Sequence, residues 1–466
     1  MKRCIAALCV CHALLGGTLA AAAPRDRDGA QPNIVFLFVD DMAYGDLSCT
    51  GAPDAKTPRL DRLADEGARF TSFYSAAPEC TPSRTAFLTG RYPQRPGGLE
   101  CAIGVGNVGR YDDAIALARR HDLGLPAEDA VLAPALREAG YATALVGKWH
   151  LGYEPQFHPL EQGFDRFFGF LGGNIDYFTH REQSDLHVLY DDRRPVEREG
   201  YITHLIADES IRFIRENRAR PYFLFVAFNV PHFPYQGPAD AGLPLADEQW
   251  TTGTRAKYVE MLEDMDRQIG RILDALDESG AGDRTLVAFA SDNGGTAIGR
   301  GLPFSGHKGT LFEGGLRSPL IVRFPGRIAP GTLSGQPAIT MDLTASFLRV
   351  AGATPLAGRP PEGIDLLRHV EEGGPDRPRR FFWRYRRGER TWRAVRDGTL
   401  KYIHRADGPA EGREESEWLF DLTNDTAEEH NLLSERAAAA ERLRAALRIW
   451  EQDVRSPRLE RAGAGD

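Results

Sequence analysis

Positive charge is not in excess in this 466-residue chain: 57 lysines and arginines stand against 66 aspartates and glutamates, a formal net charge of −9. No global basic field draws it to nucleic acid or to anionic lipid, so an anionic ligand must be held by local positive groups. Long apolar runs are missing too. After the first two dozen residues no segment is apolar enough to span a bilayer, which argues against an integral membrane protein. Internal repeats and long low-complexity tracts are also absent. A chain of this length with 42% hydrophobic residues reads as globular with a large core, either one big domain plus a smaller one or two to three units.

Cysteine is scarce, with six in all. The opening "MKRCIAALCVCHALLGGTLAAAAP" carries Lys2 and Arg3, a short apolar stretch and then small residues in an Ala-x-Ala pattern. It predicts a signal peptide over residues 1–22, handled by the secretion machinery, and hence a periplasmic or secreted protein. Cys4, Cys9 and Cys11 would leave with it. The mature chain keeps Cys49, Cys80 and Cys101, and an odd cysteine in an exported protein is either reactive or modified. Cys49 with Cys101 is a candidate disulfide, and two free buried thiols are an equal alternative.

Short, continuous apolar runs, "NIVFLFV" (33–39), "ATALVG" (142–147), "YFLFVAF" (222–228), "TLVAFA" (285–290) and "LIVRF" (320–324), predict strands buried on both faces. Helical patterns at 57–70, 132–140, 204–217, 257–280 and 341–352 separate them. The expected fold class is α/β, with a large, mainly parallel central sheet flanked by helices over residues 31–352. After a Pro/Gly-rich connection, "RFFWRYRR", "TWRAVRDGTLKYI", "EWLFDL" and "SERAAAAERLRAALRIWEQDV" predict a smaller C-terminal α+β subdomain over residues 376–455, with an antiparallel sheet and a closing helix. The arginine-rich "FFWRYRRGERTWR" (381–393) reads as a solvated strand with a basic face in preference to a contact for an acidic polysaccharide.

In open α/β sheets, ligands sit outside the carboxyl ends of the strands. There the first strand runs into Asp40 and Asp41, the second into Lys148 and His150, the third into Asn229 and His232, and the fourth into Asp292 and Asn293. Each pair alone is equally a helix cap or a turn. Together, Asp40, Asp41, Asp292 and Asn293 offer hard oxygen ligands that suit Ca²⁺ or Mg²⁺ better than zinc. Arg84, Lys148, His150, His232 and Lys308 around them would form a positive pocket for a tetrahedral oxyanion. A sulfate or phosphate ester is the implied substrate class.

"CTPSRTAFLTGR", Cys80 to Arg91, adds a cysteine beside Pro82, a residue suited to the first position of a helix, whose opening N–H groups favour an anion. The string resembles the signature of type I sulfatases, C-x-P-S-R-x-x-x-L-T-G-R, at every fixed position. The resemblance extends through "PNIVFLFVDDMAYGDL", "GYATALVGKWHLG", "NVPHFP", "SDNGG", "HKGTLFEGGLRSPLIVRFPG" and "LFDLTNDTAEEHNL", nearly the whole mature chain. It implies an alkaline-phosphatase-like sandwich and a motif cysteine oxidised by a formylglycine-generating maturation enzyme to Cα-formylglycine, before the site closes. The match further implies that Asp40, Asp41, Asp292 and Asn293, with the modified Cys80, bind one Ca²⁺. Arg84 would hold the hydrated aldehyde, and Lys148 and Lys308 would grip sulfate oxygens.

The mechanism this implies has one gem-diol hydroxyl attacking sulfur in line, while His232, aided by Lys308, protonates the departing alcohol. A sulfate hemiester then remains on residue 80; His150 takes the proton of its second hydroxyl, and collapse to the aldehyde expels sulfate. A phosphonate or phosphate monoester hydrolase of the same superfamily is the nearest rival, and a non-catalytic carbohydrate-binding relative is another. "VGKWHLGYEPQFHPLEQGFDRFFGF" resembles the branch that contains arylsulfatase A and N-acetylgalactosamine-6-sulfatase, which implies a sulfated carbohydrate cleaved in exo fashion. Candidate sugar contacts are Asn174, Asp176, Tyr177 and His180 in "LGGNIDYFTHREQ", with turn roles as the alternative.

Overall fold

The computed structural model describes residues 31–186, 188–355 and 358–459. The leader expected at 1–22, with Cys4, Cys9 and Cys11, lies outside the described residues. Ten strands form one sheet, in the order Thr332–Ser334, Ala68–Phe70, Leu320–Arg323, Thr285–Ser291, Asn33–Val39, Tyr222–Ala227, Ala142–Lys148, Arg166–Phe170, Leu189–Asp191 and Arg194–Pro195. The centre is parallel. Asn33–Val39 runs parallel to both Tyr222–Ala227 and Thr285–Ser291, and Ala142–Lys148 runs parallel to Tyr222–Ala227 and Arg166–Phe170. In this register Phe38 stands opposite both Ala227 and Ala290, so the carboxyl ends that carry the polar residues finish level along one edge.

Burial on both faces explains the unbroken apolar runs. Ile34, Phe36 and Phe38 enter one core with Phe87, Phe225 and Phe347, while Val35, Leu37 and Val39 enter the other with Leu224, Met261 and Ile269. Helices Cys80–Thr89 and Thr340–Ala351 cover the first face, and Ile202–Glu216 and Arg255–Glu278 the second. Among the described residues no helix is long and apolar enough to cross a membrane.

Two local expectations change. The strand from the "LIVRF" run, Leu320–Arg323, is antiparallel to Thr285–Ser291. The helix expected over 57–70 stops at Asp65, and Ala68–Phe70 becomes a strand paired with Leu320–Arg323. Gly67 makes that switch possible, because a Cβ there would lie 2.3 Å from the carbonyl oxygen of Val322.

The C-terminal sheet is antiparallel and four-stranded: Arg380–Arg387, Arg390–Asp397, Leu400–Asp407 and Glu414–Asp421, with helix Ala437–Asp453 packed on it. Its first strand corrects the solvated-face reading. Phe381, Trp383 and Tyr385 are buried, Arg384 pairs with Glu100 at 2.6 and 2.8 Å, and Arg387 pairs with Glu79 at 2.7 Å. Partners some three hundred residues upstream turn a basic strand into a seam between the C-terminal sheet and the segment that holds Glu79 and Glu100. Cys49 and Cys101 are both free thiols, so the candidate disulfide does not form. Cys49 is only half-buried, its thiol pushed up to about 12 by burial and then by Asp61, while Cys101 is buried.

Candidate active site

Helix Cys80–Thr89 is buried along its whole length. It begins at Cys80, so Pro82 stands third in the helix, not first. The cost is small, because the first four N–H groups of a helix have no intrahelical acceptor. Thr85 and Thr89 return their hydroxyls to the carbonyls of Thr81 and Thr85 at 2.8 Å each, and Gly90 ends the helix in the left-handed region at φ +66°. Cys80, itself 1% exposed, thus forms part of the floor of a pocket of about 420 Å³, a size typical of small-molecule sites.

Around Cys80 the strand ends converge. Its Sγ lies 3.2 Å from Asp40 Oδ1 and 3.6 Å from Lys308 Nζ. Lys148 Nζ donates to Asp40 Oδ2 at 2.5 Å, and Lys308 Nζ reaches the Asp41 carboxylate at 2.8 Å. Arg84 closes a fork on Asp292 Oδ2 at 3.1 and 3.0 Å and donates to the Lys148 carbonyl at 2.9 Å. His232 Nε2 stands 3.5 Å from Asp41 Oδ2. Two of these residues, Asp41 (φ +67°) and His150 (φ +62°), hold a left-handed backbone that non-glycine residues seldom adopt and that clusters at functional sites. It is fixed locally: Asp41 N–H donates to Asp292 Oδ1 at 3.3 Å, and His150 N–H donates to the Leu171 carbonyl at 3.1 Å.

The site could hold a metal ion. Ligand atoms of Asp40, Asp41, Cys80 and His232 all lie within 4.8 Å of one another. Asn293 gives its amide N–H to Asp41 Oδ1 at 2.8 Å, which leaves its own buried Oδ1 without a hydrogen-bond partner in the protein. Burial and then the neighbouring Asp40 push Asp292 up to about 6, a charge conflict that a bound cation relieves. Burial also raises Asp41, but Lys308, His232 and Lys148 outweigh it and take the group down to about 2.

Burial disfavours the charged form of both histidines. Burial, then Lys148, holds His150 well below its ordinary value; its Nε2 faces the Ile103 carbonyl at 2.8 Å and must carry the proton there, so the buried, unpartnered Nδ1 keeps the lone pair. Burial and Lys308 take His232 down to about 3, and its Nδ1 donates to the Phe233 carbonyl at 2.7 Å. Burial would lower Lys308 as well, yet the Asp41 carboxylate outweighs it and holds its ammonium well above the ordinary range. The Cys80 thiol is pushed far up by burial, Asp292 and Asp40. An unmodified cysteine here is a thiol, not a thiolate.

The four candidate sugar contacts separate. Asn174 lines the pocket. Asp176 and Tyr177 are buried within the fold: Asp176 Oδ1 accepts from the N–H groups of Phe178 and Thr179, and Tyr177 Oη bridges the carbonyls of Asn229 and His232 at 3.0 and 2.9 Å. Tyr177 is therefore a positioning residue for the His232 peptide. His180 is buried against the Gly200 carbonyl at 3.0 Å. Glu79, Arg110, His307, Tyr385, Arg387 and Arg390 also line the pocket. Tyr385, Arg387 and Arg390 belong to the 381–393 stretch read as a solvated face in preference to a contact for an acidic polysaccharide, so their place in the pocket wall favours the other reading, while no strand end announces Glu79 or His307.

Behind the wall lies Glu182. Tyr153 donates to its Oε1 at 2.5 Å, its buried Oε2 has no protein partner, and a Cβ on Gly172 would stand 1.6 Å from Oε1. Burial pushes the carboxyl from 4.5 up to about 7. A folded-state value above the unfolded one favours the protonated form, so this stability is full below about pH 4.5 and is lost as pH rises through about 7. Glu182→Gln is expected to flatten the stability profile between about pH 5 and about pH 8 by up to ~3 kcal/mol, read from urea melts at each pH.

The Sulfatase family model matches residues 32–353. N-acetylgalactosamine-6-sulfatase of Mus musculus is 38% identical over 402 residues, covering 81% of this chain and 73% of that protein. Arylsulfatase A of Homo sapiens is 32% identical over 480 residues, covering 93% and 88%. Among solved structures, that of Ps i-CgsB in complex with k-i-k-neocarrahexaose matches with a TM-score of 0.76 at 27% identity, covering 90% of this chain and 92% of that one.

Proposed function

The chain belongs to the sulfatase family, and on that premise we propose that it releases inorganic sulfate from a sulfated carbohydrate in exo fashion, using Cα-formylglycine formed from Cys80 and one Ca²⁺. The observation that carries the reading is the position of Cys80: beneath the pocket, between three buried carboxylates and the cations Arg84, Lys148 and Lys308. A pocket with its reactive residue at the floor supports attack on a terminal group. The carbohydrate class is supported by the N-acetylgalactosamine-6-sulfatase relative and by the oligosaccharide in the structural match.

Asp40, Asp41, Asp292 and Asn293, with residue 80, would hold the cation. When bound, cation and aldehyde hydrate supply an activated oxygen nucleophile and polarise the sulfate oxygens. Lys148 and Lys308 bind and orient the sulfate, and Arg84 fixes Asp292 and the side chain at residue 80. His150 Nδ1 is the available proton acceptor. His232, aided by the Lys308 ammonium, delivers the proton to the departing alcohol, both groups meeting at Asp41. Export and a maturation enzyme in the host complete the proposal.

The test is peptide mass spectrometry across Cys80 on protein made with a maturation enzyme, together with hydrolysis of aryl sulfate, phosphate and phosphonate esters. An aldehyde at residue 80 that tracks with sulfate release supports the reading. A persistent thiol, or cleavage of phosphonates in preference to sulfates, overturns it. Chelation is expected to lower kcat/KM on the order of a hundredfold or more. Recovery with Ca²⁺ but not Zn²⁺, and a rise in Tm on Ca²⁺ addition, would check the oxygen-ligand assignment.

A further inference from the structure

The pocket wall is more basic than a single sulfate requires. Arg110, Arg387 and Arg390 line it above the floor cations. Two of these are committed: Arg387 to Glu79 at 2.7 Å and Arg390 to Asp407 at 2.5 Å. Arg110 is not. It forms no ion pair with a described residue, and its Nε is buried without a hydrogen-bond partner. Its backbone is nevertheless held, because its carbonyl accepts the Gly388 N–H at 2.6 Å from the turn of the C-terminal hairpin. Its Nε also passes over Gly104, where a Cβ would stand 3.4 Å away.

Glu79 is the one carboxylate among the described residues that line the pocket, and it is already covered. Arg387 and Tyr385 donate to its Oε1 at 2.7 and 2.9 Å, and the Ala102 N–H donates to its Oε2 at 2.7 Å. It therefore does little to repel an anion from this wall. A guanidinium fixed through its backbone, with free N–H groups and no counter-charge, is a receptor for an oxyanion. The sulfate that reacts is bound at the floor by Lys148 and Lys308, so Arg110 is left for a second one.

We propose that Arg110 reads a second anionic group of the substrate, a uronate carboxylate or a further sulfate, carried on the sulfated sugar or on the residue next to it. This rests on the sulfate-ester reading above and narrows it to polyanionic saccharides. Arg110 is a specificity-determining residue of the wall, and the C-terminal hairpin contributes to substrate choice by holding it.

The test compares wild type, Arg110→Gln and Arg110→Lys on three substrates: an aryl sulfate, a monosulfated disaccharide that contains a uronate, and a disulfated disaccharide that lacks one. The ratio of kcat/KM for a disaccharide over that for the aryl sulfate is expected to fall about ten- to a hundredfold in Arg110→Gln, and less in Arg110→Lys, which keeps the charge. The disaccharide with the larger fall identifies the anion. A ratio unchanged within about twofold for both disaccharides overturns the proposal, and so does an equal loss on all three substrates. If mature wild type cleaves none of them, the sulfate-ester reading fails separately. Calorimetric titration with the same two disaccharides then decides for Arg110: a Kd at least about tenfold weaker in Arg110→Gln supports it, and equal Kd values overturn it.

Discussion

Cys80→Ser is expected to lower turnover of an aryl sulfate by about four orders of magnitude or more, and Cys80→Ala by as much, with both variants folded. The change of Sγ to Oγ is small and leaves Asp40, 3.2 Å away, and Lys308, 3.6 Å away, within reach of the side chain, so stability should move by no more than about 1 kcal/mol. The chemistry is what fails. The site drives the native thiol toward its protonated form, and a serine hydroxyl, weaker still as an acid, meets the same buried carboxylates. Serine also has one oxygen where a hydrated aldehyde has two; once sulfated, it has no second hydroxyl to expel the group and must wait for water to attack sulfur. The measurement is kcat/KM for wild type and both variants made alongside the same maturation enzyme, with residue 80 identified by mass spectrometry in each. Activity in Cys80→Ser within tenfold of wild type would sink the formylglycine mechanism while leaving the family assignment untouched.

The parallel centre of the sheet was legible because its residues satisfy two faces at once. Ile34, Phe36 and Phe38 point into one core and Val35, Leu37 and Val39 into the other, which demands a continuous apolar run, and the run stops where the polar site begins. That same logic brought Asp40, Asp41, Lys148, His150, His232, Asp292 and Asn293 to one edge. It carried no information on strand direction at the sheet margin, where Leu320–Arg323 runs antiparallel, because burial on two faces looks alike in either direction. Nor could it find pairs remote in sequence. Glu100 and Arg384, or Glu79 and Arg387, leave no local pattern, so the basic C-terminal strand resembled a solvated one. Tyr177 was misjudged for a related reason: its hydroxyl suggests a sugar contact, whereas tertiary structure turns it onto two carbonyls behind His232.

That remote pairing gives the largest effect on stability expected away from the catalytic groups, in Lys401→Met. Lys401 is fully buried in the C-terminal sheet, with Nζ 2.8 Å from Glu313 Oε1 and 2.9 Å from Glu428 Oε1. Glu428 Oε2 in turn accepts from the Glu313 N–H at 2.6 Å and from Ser305 Oγ at 3.1 Å, so one carboxylate grips both ends of the segment that carries Lys308. Burial pushes Glu428 up to about 7 against the pull of Lys401, with the adjacent Glu313 adding to the rise, while burial on Glu313 is outweighed by Lys401 and Arg317, which hold it at about 2. Removing the lysine leaves two buried carboxyl groups with one cation fewer, and the expected cost is about 3–5 kcal/mol. Glu313 lies below its unfolded value, so its contribution is present above about pH 4.5 and is lost as pH falls through about 2. Lys401→Met should therefore shrink the acid-side fall in stability. Adding Glu428→Gln to Lys401→Met takes away one of the two buried carboxyl groups left without their lysine and is expected to recover part of the loss, a coupling that additive effects would not produce. Urea melts of the two single variants and the double variant measure it. A cost below about 1 kcal/mol for Lys401→Met would mean that the seam is held by its aromatic packing. With the expected cost, kcat/KM should fall as well, because the segment that presents Lys308 to the sulfate loses its anchor in the C-terminal sheet.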